Sequence, residues 1–222
     1  MPNERSDFFT RVYRENLWNN NESRSGHGSG LDYTRPLIES LPAALRSLEV
    51  SRLLDLPCGD FHWMKNVDLT GIDYVGGDIV SNLVEANNAT YGSPSRQFVV
   101  LDIVKDLLPP ADMVFVRDCF IHFSNALIFD ALKNIARSDI RYLCTTTLDA
   151  AHYQGVANVD LDRTQHGVNF EFRPILFEAP PFSFPPPVQK IRDDGGGTGN
   201  WRTIMGVWEV ATLRDLLRGA MK

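Results

Sequence analysis

The chain has 222 residues, of which 43% are hydrophobic and 23% charged, a composition typical of a globular protein with one sizeable core. Its formal net charge of −6, without a cluster of lysine or arginine, argues against a nucleic-acid partner. No apolar run is long enough to span a membrane, and the first residues do not form a signal peptide. Cys58, Cys119 and Cys144 show neither zinc spacing nor a disulfide framework, so we expect reduced thiols in a cytoplasmic protein.

The N-terminal region, residues 1–50, predicts two helices joined by a polar loop. Apolar residues recur at helical spacing over 5–18, and a second helical stretch covers 31–50 with an interruption at Pro42. The loop between them, 19–30, is rich in asparagine, serine and glycine. We therefore expect a helical cap and a loop that covers a binding site.

Residues 52–80 have the pattern of a strand, a tight turn, a short helix and a second strand. Each apolar run ends in a carboxylate, Asp55 in the first and Asp78 in the second. In an open α/β sheet, ligands bind outside the carboxyl ends of the strands, and a carboxylate about 20 residues after the first turn binds a ribose. This region therefore predicts a cofactor that contains a nucleoside.

The turn after Asp55 indicates which cofactor fits. A dinucleotide fold needs G-x-G-x-x-G, whereas this turn has one glycine among Pro57, Cys58, Gly59, Asp60 and Phe61. No G-x-x-x-x-G-K-[ST] phosphate loop occurs in the chain. S-adenosylmethionine, which has a ribose but no phosphate, fits better, because its positive charge suits a turn between two carboxylates.

Strands and helices alternate through the centre of the chain, which indicates a parallel sheet. The predicted strands are residues 52–56, 74–78, 97–101, 112–116 and 140–147. A helix with a clear apolar stripe follows the serine cap at Ser124. Two further strands, 188–192 and 203–210, flank the glycine-rich segment 193–200 and predict a terminal hairpin.

Four segments resemble, in order and spacing, the motifs of class I S-adenosylmethionine-dependent methyltransferases. They are LLDLPCGDF (53–61), YVGGDIV (74–80), VVLDI (99–103) and ADMVFVRDCFIHFS (111–124). Pro57 and Phe61 replace the first and third glycines of the first motif, so the motif does not define which groups bind the methionine tail. The resemblance implies an α/β, Rossmann-like fold: a seven-stranded, mostly parallel sheet with an antiparallel C-terminal hairpin and helices on both faces.

We expect one methyltransferase domain over 1–222. Its parts are the N-terminal cap (1–50), the cofactor-binding core (51–149), an acceptor-side insertion (150–187), and the terminal hairpin and helix (188–222). The insertion lacks periodicity, and long irregular segments of this kind commonly act as lids or binding loops.

The resemblance also implies roles for individual residues. Asp78 would bind the ribose hydroxyls, Asp55 and Gly59 would serve the tail ammonium and the turn, and a solvated strand end is the alternative for each carboxylate. The residues expected to bind the cofactor are Trp18, Arg24, Asp55, Pro57, Cys58, Gly59, Asp78, Ile79, Asp102, Ile103 and Arg117. Asp102 and Ile103 would frame the adenine, although a helix cap accounts for Asp102 equally well.

The loop sequence ESRSG, residues 22–26, suggests how the cofactor carboxylate is held. Arg24 could bind it through a bidentate pair, with Trp18 anchoring the loop. An exposed, flexible arm is the alternative.

Catalysis is expected at the end of the fourth strand. Asp118 should lie beside the transferred methyl group, and His122, just beyond it, could remove the proton of a hydroxyl acceptor. A histidine that only packs against the cofactor is an equal alternative.

A divalent cation would be a second way to activate a hydroxyl. Asp118 and Asp149, at the tips of adjacent predicted strands, are placed like the metal carboxylates of catechol O-methyltransferases. Asp160 or Glu171 could complete an oxygen shell suited to Mg²⁺. Solvated strand-end carboxylates are the alternative.

The insertion is rich in aromatic residues that could form an acceptor wall. They are Tyr153, Phe170, Phe172, Phe177, Phe182 and Phe184. A covering for the hydrophobic edge of the sheet explains some of them as well.

The sequence thus predicts an O-methyltransferase that uses S-adenosylmethionine and acts on a small molecule. Residues 22–26 and the segment DLPCGDFHWM (55–64) are similar to small bacterial sugar O-methyltransferases of the mycobacterial methylmannoside type, which implies a saccharide acceptor. N-methylation of a small amine or protein side chain, and non-catalytic binding of the cofactor, remain alternatives. A homodimer is left open.

Overall fold

The computed structural model describes residues 4–153, 155–162, 164–195 and 202–219. The helices are α1 (Glu4–Glu15), α2 (Leu31–Ser47), α3 (Ser81–Tyr91), α4 (Asn125–Arg137) and α5 (Val210–Gly219). The strands are β1 (Arg52–Asp55), β2 (Asp73–Asp78), β3 (Arg96–Val100), β4 (Met113–Val116), β5 (Tyr142–Leu148), β6 (Gln189–Arg192) and β7 (Thr203–Glu209). Within these ranges, no helix is long and apolar enough to cross a membrane.

All seven strands form one sheet in the order β3-β2-β1-β4-β5-β7-β6. β1 to β5 pair in parallel, whereas β7 runs antiparallel to both of its neighbours, β5 and β6. The predicted fold is therefore confirmed. Of the predicted glycine-rich loop between β6 and β7, residues 196–200 lie outside the described residues.

The side chains of the central strands alternate between two cores. In β4, Met113 and Phe115 pack on the side of α2 and α3, while Val114 and Val116 pack on the side of α4 and α5. Successive side chains of a strand point to opposite faces, so a strand that is apolar at every position must be covered on both. The serine cap of α4 is present: the backbone N–H of Leu127 donates to Ser124 Oγ.

One local prediction about the helices was wrong. α2 continues through Pro42 instead of breaking there, because Leu37, Leu41 and Leu45 are completely buried and their packing offsets the missing N–H. The expected short helix between β1 and β2 is present as a single 3₁₀ turn at Met64–Asn66. In that connection, buried aromatic and aliphatic side chains contact the sheet directly without a helix to carry them.

The insertion contributes three of its aromatic side chains to the core. Phe177, Phe182 and Phe184 are buried, and the Phe177 ring lies 5.0 Å from each of the other two rings. The ring of Trp208 on β7 packs against Phe184 at 5.3 Å. These residues therefore cover the sheet rather than form an acceptor wall. Tyr153 accepts a hydrogen bond from the backbone N–H of Arg202 and is not part of the cavity described next.

Candidate cofactor and acceptor site

The carboxyl ends of β1, β2 and β4 open onto a cavity of about 780 Å³. α1 and the loop before α2 close its opposite side. The predicted site residues that line it are Trp18, Asp55, Pro57, Cys58, Gly59, Asp78, Ile79, Asp102, Ile103, Arg117, Asp118 and His122. Arg24 and Asp149 are not among the lining residues.

Asp78 lies at the tip of β2 and is 6% exposed. Its carboxylate accepts hydrogen bonds from the backbone N–H groups of Gly59, at 3.1 Å, and Val80, at 3.0 Å. Burial raises the pKa of Asp78 to about 6, while these bonds oppose the shift. The two backbone donors fix the carboxylate at the edge of the first turn.

Asp55, at the tip of β1, lies in the same wall of the cavity. The Tyr74 hydroxyl donates to Asp55 Oδ2 at 2.6 Å, and burial raises the pKa of Asp55 to about 7. Among the described residues, neither Asp55 nor Asp78 forms an ion pair with a cationic side chain. Two buried carboxylates without a cationic partner fit a ligand that brings hydroxyl groups and positive charge, as S-adenosylmethionine does.

Asp102, at the third strand tip, has a cationic partner from the cap. Arg5 of α1 pairs with it at 2.6 Å, and Lys105 approaches within 3.7 Å. Arg5 was missed in the sequence, although it shares one face of α1 with Phe9 and Tyr13 at i, i+4 and i+8, and all three line the cavity. The contact fastens α1 over the end of the cavity where adenine is expected.

The loop 22–30, here called the strap, is fastened to the first turn through Asp60. The Asp60 carboxylate accepts from the hydroxyls of Ser23, at 2.9 Å, and Ser25, at 3.2 Å, and from the backbone N–H of Arg24, at 2.9 Å. Gly59 permits this approach, because a Cβ there would overlap Ser25 Oγ and its φ is +53°. The strap therefore covers the turn as an ordered element.

A second contact holds the first residue of the strap. Glu22 Oε1 lies 3.0 Å from His62 Nε2 and accepts the backbone N–H of Leu31 at 2.8 Å. Glu22 thus links the start of the strap to the residue after the first turn and to the first residue of α2.

The Arg24 side chain points away from the cavity. Its guanidinium donates to the carbonyl oxygens of Tyr13 and Arg14 and lies 5.9 Å from the centre of the Tyr13 ring. Cationic side chains commonly bind the last carbonyls of a helix in this way. These contacts do not support the expected role of Arg24 at the cofactor carboxylate.

Arg117, after β4, is buried in a charge cluster. Its Nε and Nη2 donate to the two carboxylate oxygens of Asp193, both at 2.9 Å, and its Nη1 lies 3.2 Å from Asp118. Burial opposes the charge, but the two carboxylates outweigh it and raise the pKa of Arg117. Asp193 was missed because it follows β6 in a glycine-rich segment, where no sequence pattern indicates a partner 76 residues away.

Asp118 adopts a left-handed backbone conformation, with a φ of +50°. Its backbone N–H donates to Thr146 Oγ1 on β5 at 2.9 Å, which holds the turn. A Cβ on Gly28 would lie 2.9 Å from Asp118 Oδ2, so the strap passes directly over this carboxylate. Such strained positions are concentrated at functional sites.

His122 is buried, with its ring facing the cavity. Its Nδ1 lies 3.1 Å from the carbonyl oxygen of Asn169 and 3.0 Å from that of Glu171. Carbonyl oxygens only accept, so Nδ1 donates and Nε2 keeps its lone pair. Burial lowers the pKa of His122, and the imidazole is therefore neutral at pH 7.

The expected metal pair is not formed. The carboxylate of Asp149 is bound by Lys190 Nζ at 2.8 Å and by His152 Nδ1 at 3.1 Å, and it lies outside the cavity. Asp160 accepts from the backbone N–H of Asn125. Across the described ranges, no three His, Cys, Asp or Glu side chains form a group that could hold a metal ion. The ligand shell expected for Mg²⁺ is therefore not supported.

No family model matches the sequence, and no curated protein is similar enough in sequence to count as a relative. Solved structures are similar in fold at low identity. Human N-acetylserotonin methyltransferase, in complex with S-adenosylmethionine, has a TM-score of 0.58 and 17% identity. The match covers 93% of this chain and 59% of the human chain, so this chain spans less than two thirds of that protein.

Two microbial structures are similar over most of both chains. The 1,6-didemethyltoxoflavin N1-methyltransferase of Burkholderia thailandensis, with 1,6-didemethyltoxoflavin and S-adenosylhomocysteine bound, has a TM-score of 0.59, 15% identity and coverage of 92% of this chain and 86% of that one. The PH0226 protein of Pyrococcus horikoshii OT3 has a TM-score of 0.54, 18% identity and coverage of 91% and 98%. With the strand order, these matches show that the chain has the class I methyltransferase fold.

Proposed function

We propose that this chain is an S-adenosylmethionine-dependent methyltransferase that methylates a hydroxyl group of a small molecule. The observation that carries the proposal is a single cavity that contains two buried carboxylates, Asp55 and Asp78, and a neutral histidine, His122. The carboxylates suit the donor and the histidine suits a hydroxyl acceptor.

The residue at each strand tip would contact a different part of the cofactor. Asp78 would accept hydrogen bonds from the ribose hydroxyls, and Asp55 would face the positive charge of the donor. Asp102 and Ile103, at the end of β3, would frame the adenine. When bound, S-adenosylmethionine supplies the electrophilic methyl group. Two of the similar structures have S-adenosylmethionine or its demethylated product bound, which supports this choice of cofactor.

His122 would remove the proton of the acceptor. Its Nδ1–H is fixed by two backbone carbonyls, so the lone pair of Nε2 is held in one direction. The carboxylate of Asp118 favours the protonated imidazole that forms. General-base assistance of this kind contributes roughly 10²- to 10⁴-fold to a rate.

Two alternatives are separable from this proposal. An amine acceptor that is already unprotonated needs no base, so replacing His122 would leave its methylation intact. A non-catalytic protein would bind the cofactor and release no S-adenosylhomocysteine with any acceptor. The saccharide acceptor expected from the sequence has no support in the aromatic lining near His122.

The donor site is tested with Asp78→Asn. The variant keeps the shape of the side chain but removes its charge, so we expect the affinity for S-adenosylmethionine to fall at least about tenfold in calorimetry. Asp73→Asn, at the exposed start of the same strand, is the matched control and should bind as the wild type does. Equal affinities for the wild type and Asp78→Asn would contradict the donor assignment.

A further inference from the structure

The cavity continues past the expected donor site toward β4 and β5. Asp78 is the last residue of β2, whereas His122 follows β4, two positions along in the sheet. The cavity lining includes a group of apolar and aromatic side chains, Leu17, Trp18, Ile121, Phe123, Phe170 and Phe172. The ring of Trp18 lies next to His122, and Ile121 and Phe123 flank His122 in the chain, so this part of the lining differs from the carboxylates of the donor end.

Trp18 and the insertion form the roof of this end. The Trp18 ring lies 5.5 Å from the His122 ring, and its Nε1–H donates to the carbonyl oxygen of Phe170 at 3.1 Å. The indole is thereby fixed beside His122 with its polar edge occupied, and it presents apolar surface to the cavity.

Two large side chains of the roof remain open to solvent. Phe170 is 43% exposed and Phe172 is 63% exposed, and both line the cavity. Exposed apolar side chains grouped at the mouth of a cavity mark a contact surface for an apolar ligand.

Some of the polar groups in the cavity lining are already engaged within the protein. The hydroxyl of Thr146 is engaged with Asp118, and the Nη2 of Arg173 donates to Phe123 O and Asn125 Oδ1. The Nε and Nη1 of Arg173 have no hydrogen-bond partner among the described residues, and Asp118 and Glu171 also line the cavity. A saccharide, with hydroxyls all around its ring, would also place some of them against the apolar side chains, where they lose hydration without regaining hydrogen bonds.

The basicity of His122 is consistent with an acidic hydroxyl. Burial lowers its pKa, which makes it a weak base. A phenolic hydroxyl has a pKa of about 10, whereas an alkyl hydroxyl is closer to water at about 15.7. The difference in pKa between the hydroxyl and His122 is smaller for a phenol, so proton transfer to His122 is easier.

We propose that the acceptor is a planar aromatic molecule with a hydroxyl group on its ring, stacked under Trp18 and against Phe172. The proposal rests on the proposed function and specifies its substrate. In the reaction, the acceptor oxygen bonds to the methyl carbon, the carbon–sulfur bond breaks with its electron pair passing to sulfur, and the phenolic proton moves to His122 Nε2.

The test compares three probes on the protein saturated with S-adenosylhomocysteine. They are naphthol, its saturated counterpart decahydronaphthol, and a methyl mannoside, each titrated by calorimetry. We expect naphthol to bind, decahydronaphthol to bind at least about tenfold more weakly, and the mannoside to show no binding. Phe172→Ala should lower the affinity for naphthol about tenfold. Leu107→Ala, a 94% exposed position outside the cavity lining, should leave the affinity for naphthol unchanged.

The outcomes separate this inference from the proposed function. Preferential binding of the mannoside, absence of naphthol binding, or an unchanged affinity in Phe172→Ala would each overturn the aromatic acceptor while the methyltransferase assignment stands. Failure of the wild type to bind S-adenosylmethionine would instead overturn the proposed function.

Discussion

Asp55 combines deep burial with a position that a cofactor would use. Its pKa is about 7 in the folded protein, against an ordinary value of 3.8. As the pH rises from about 4 to 7, the unfolded chain loses this proton while the folded chain keeps it, so the folded state becomes less stable. Above pH 7 both states are ionised, and the loss is complete. The site thus costs stability in the absence of a ligand.

Asp55→Asn should relieve this cost. The amide cannot ionise, and its oxygen can still accept the Tyr74 hydroxyl. We expect the stability gain over the wild type to grow by about 3 kcal/mol between pH 4 and 7 and then stay constant. Urea unfolding at pH 4 and pH 8 measures it, with the exposed Asp73→Asn as control. A gain that does not change with pH would contradict the assignment.

His122 should act in catalysis without contributing to donor affinity. His122→Ala is expected to lower kcat roughly 10²-fold or more and to leave the affinity for S-adenosylmethionine unchanged. Because burial lowers its pKa, the midpoint of the acid decline in wild-type activity should lie below the ordinary histidine value of 6.5. Steady-state rates from pH 5 to 8 measure this.

The control for that experiment is His152→Ala, a surface histidine paired with Asp149. It should match the wild type in rate and in pH profile. A His122→Ala variant with full turnover would favour an amine acceptor, for which no base is needed.

Among the elements, the strap has its largest group of contacts with the first turn on one carboxylate, that of Asp60. Asp60→Ala removes the acceptor of Ser23 Oγ, Ser25 Oγ and the Arg24 backbone N–H together. We expect hydrogen exchange in residues 22–30 to accelerate at least about tenfold, with little change in global stability.

The matched control for the strap is Asp68→Ala, in the same β1–β2 connection. Asp68 is exposed, accepts hydrogen bonds from the neighbouring Thr70, and lies 3.9 Å from the exposed side chain of Arg46. If the strap exchanged equally slowly in Asp60→Ala and Asp68→Ala, Asp60 would not be its anchor.

The elements also show where sequence patterns are informative. The sequence could predict β1, β2 and β4, because each is an apolar run that ends in a polar residue. Such runs are typical of strands that are buried on both faces of a sheet. The roles of Asp60 and Arg24 could not be predicted from the sequence, because they depend on contacts between residues that are distant in sequence. From sequence alone, Arg24 looked like the cationic ligand, yet local carbonyl groups at the end of α1 satisfy it.

At the scale of the whole molecule, the far end of the sheet supports the site. β6 and β7 lie beyond β5, yet Asp193 from their connection reaches the end of β4 and binds Arg117 through both of its oxygens. Arg117 in turn contacts Asp118 in the cavity. The hairpin therefore does more than extend the sheet, since it neutralises a buried cation beside the proposed acceptor site.

A double-mutant cycle on Asp193 and Arg117 tests this connection. Asp193→Leu leaves a buried guanidinium with one fewer partner and should lower the free energy of unfolding by about 3 to 5 kcal/mol. Adding Arg117→Met removes the unpaired charge, so the double variant should be more stable than the sum of the single effects predicts. Urea unfolding of the four proteins measures the coupling, with Asp194→Leu, at a partly exposed position, as control. Additive effects would mean that Asp193 does not stabilise the charge of Arg117, and the hairpin would then have no part in holding the site.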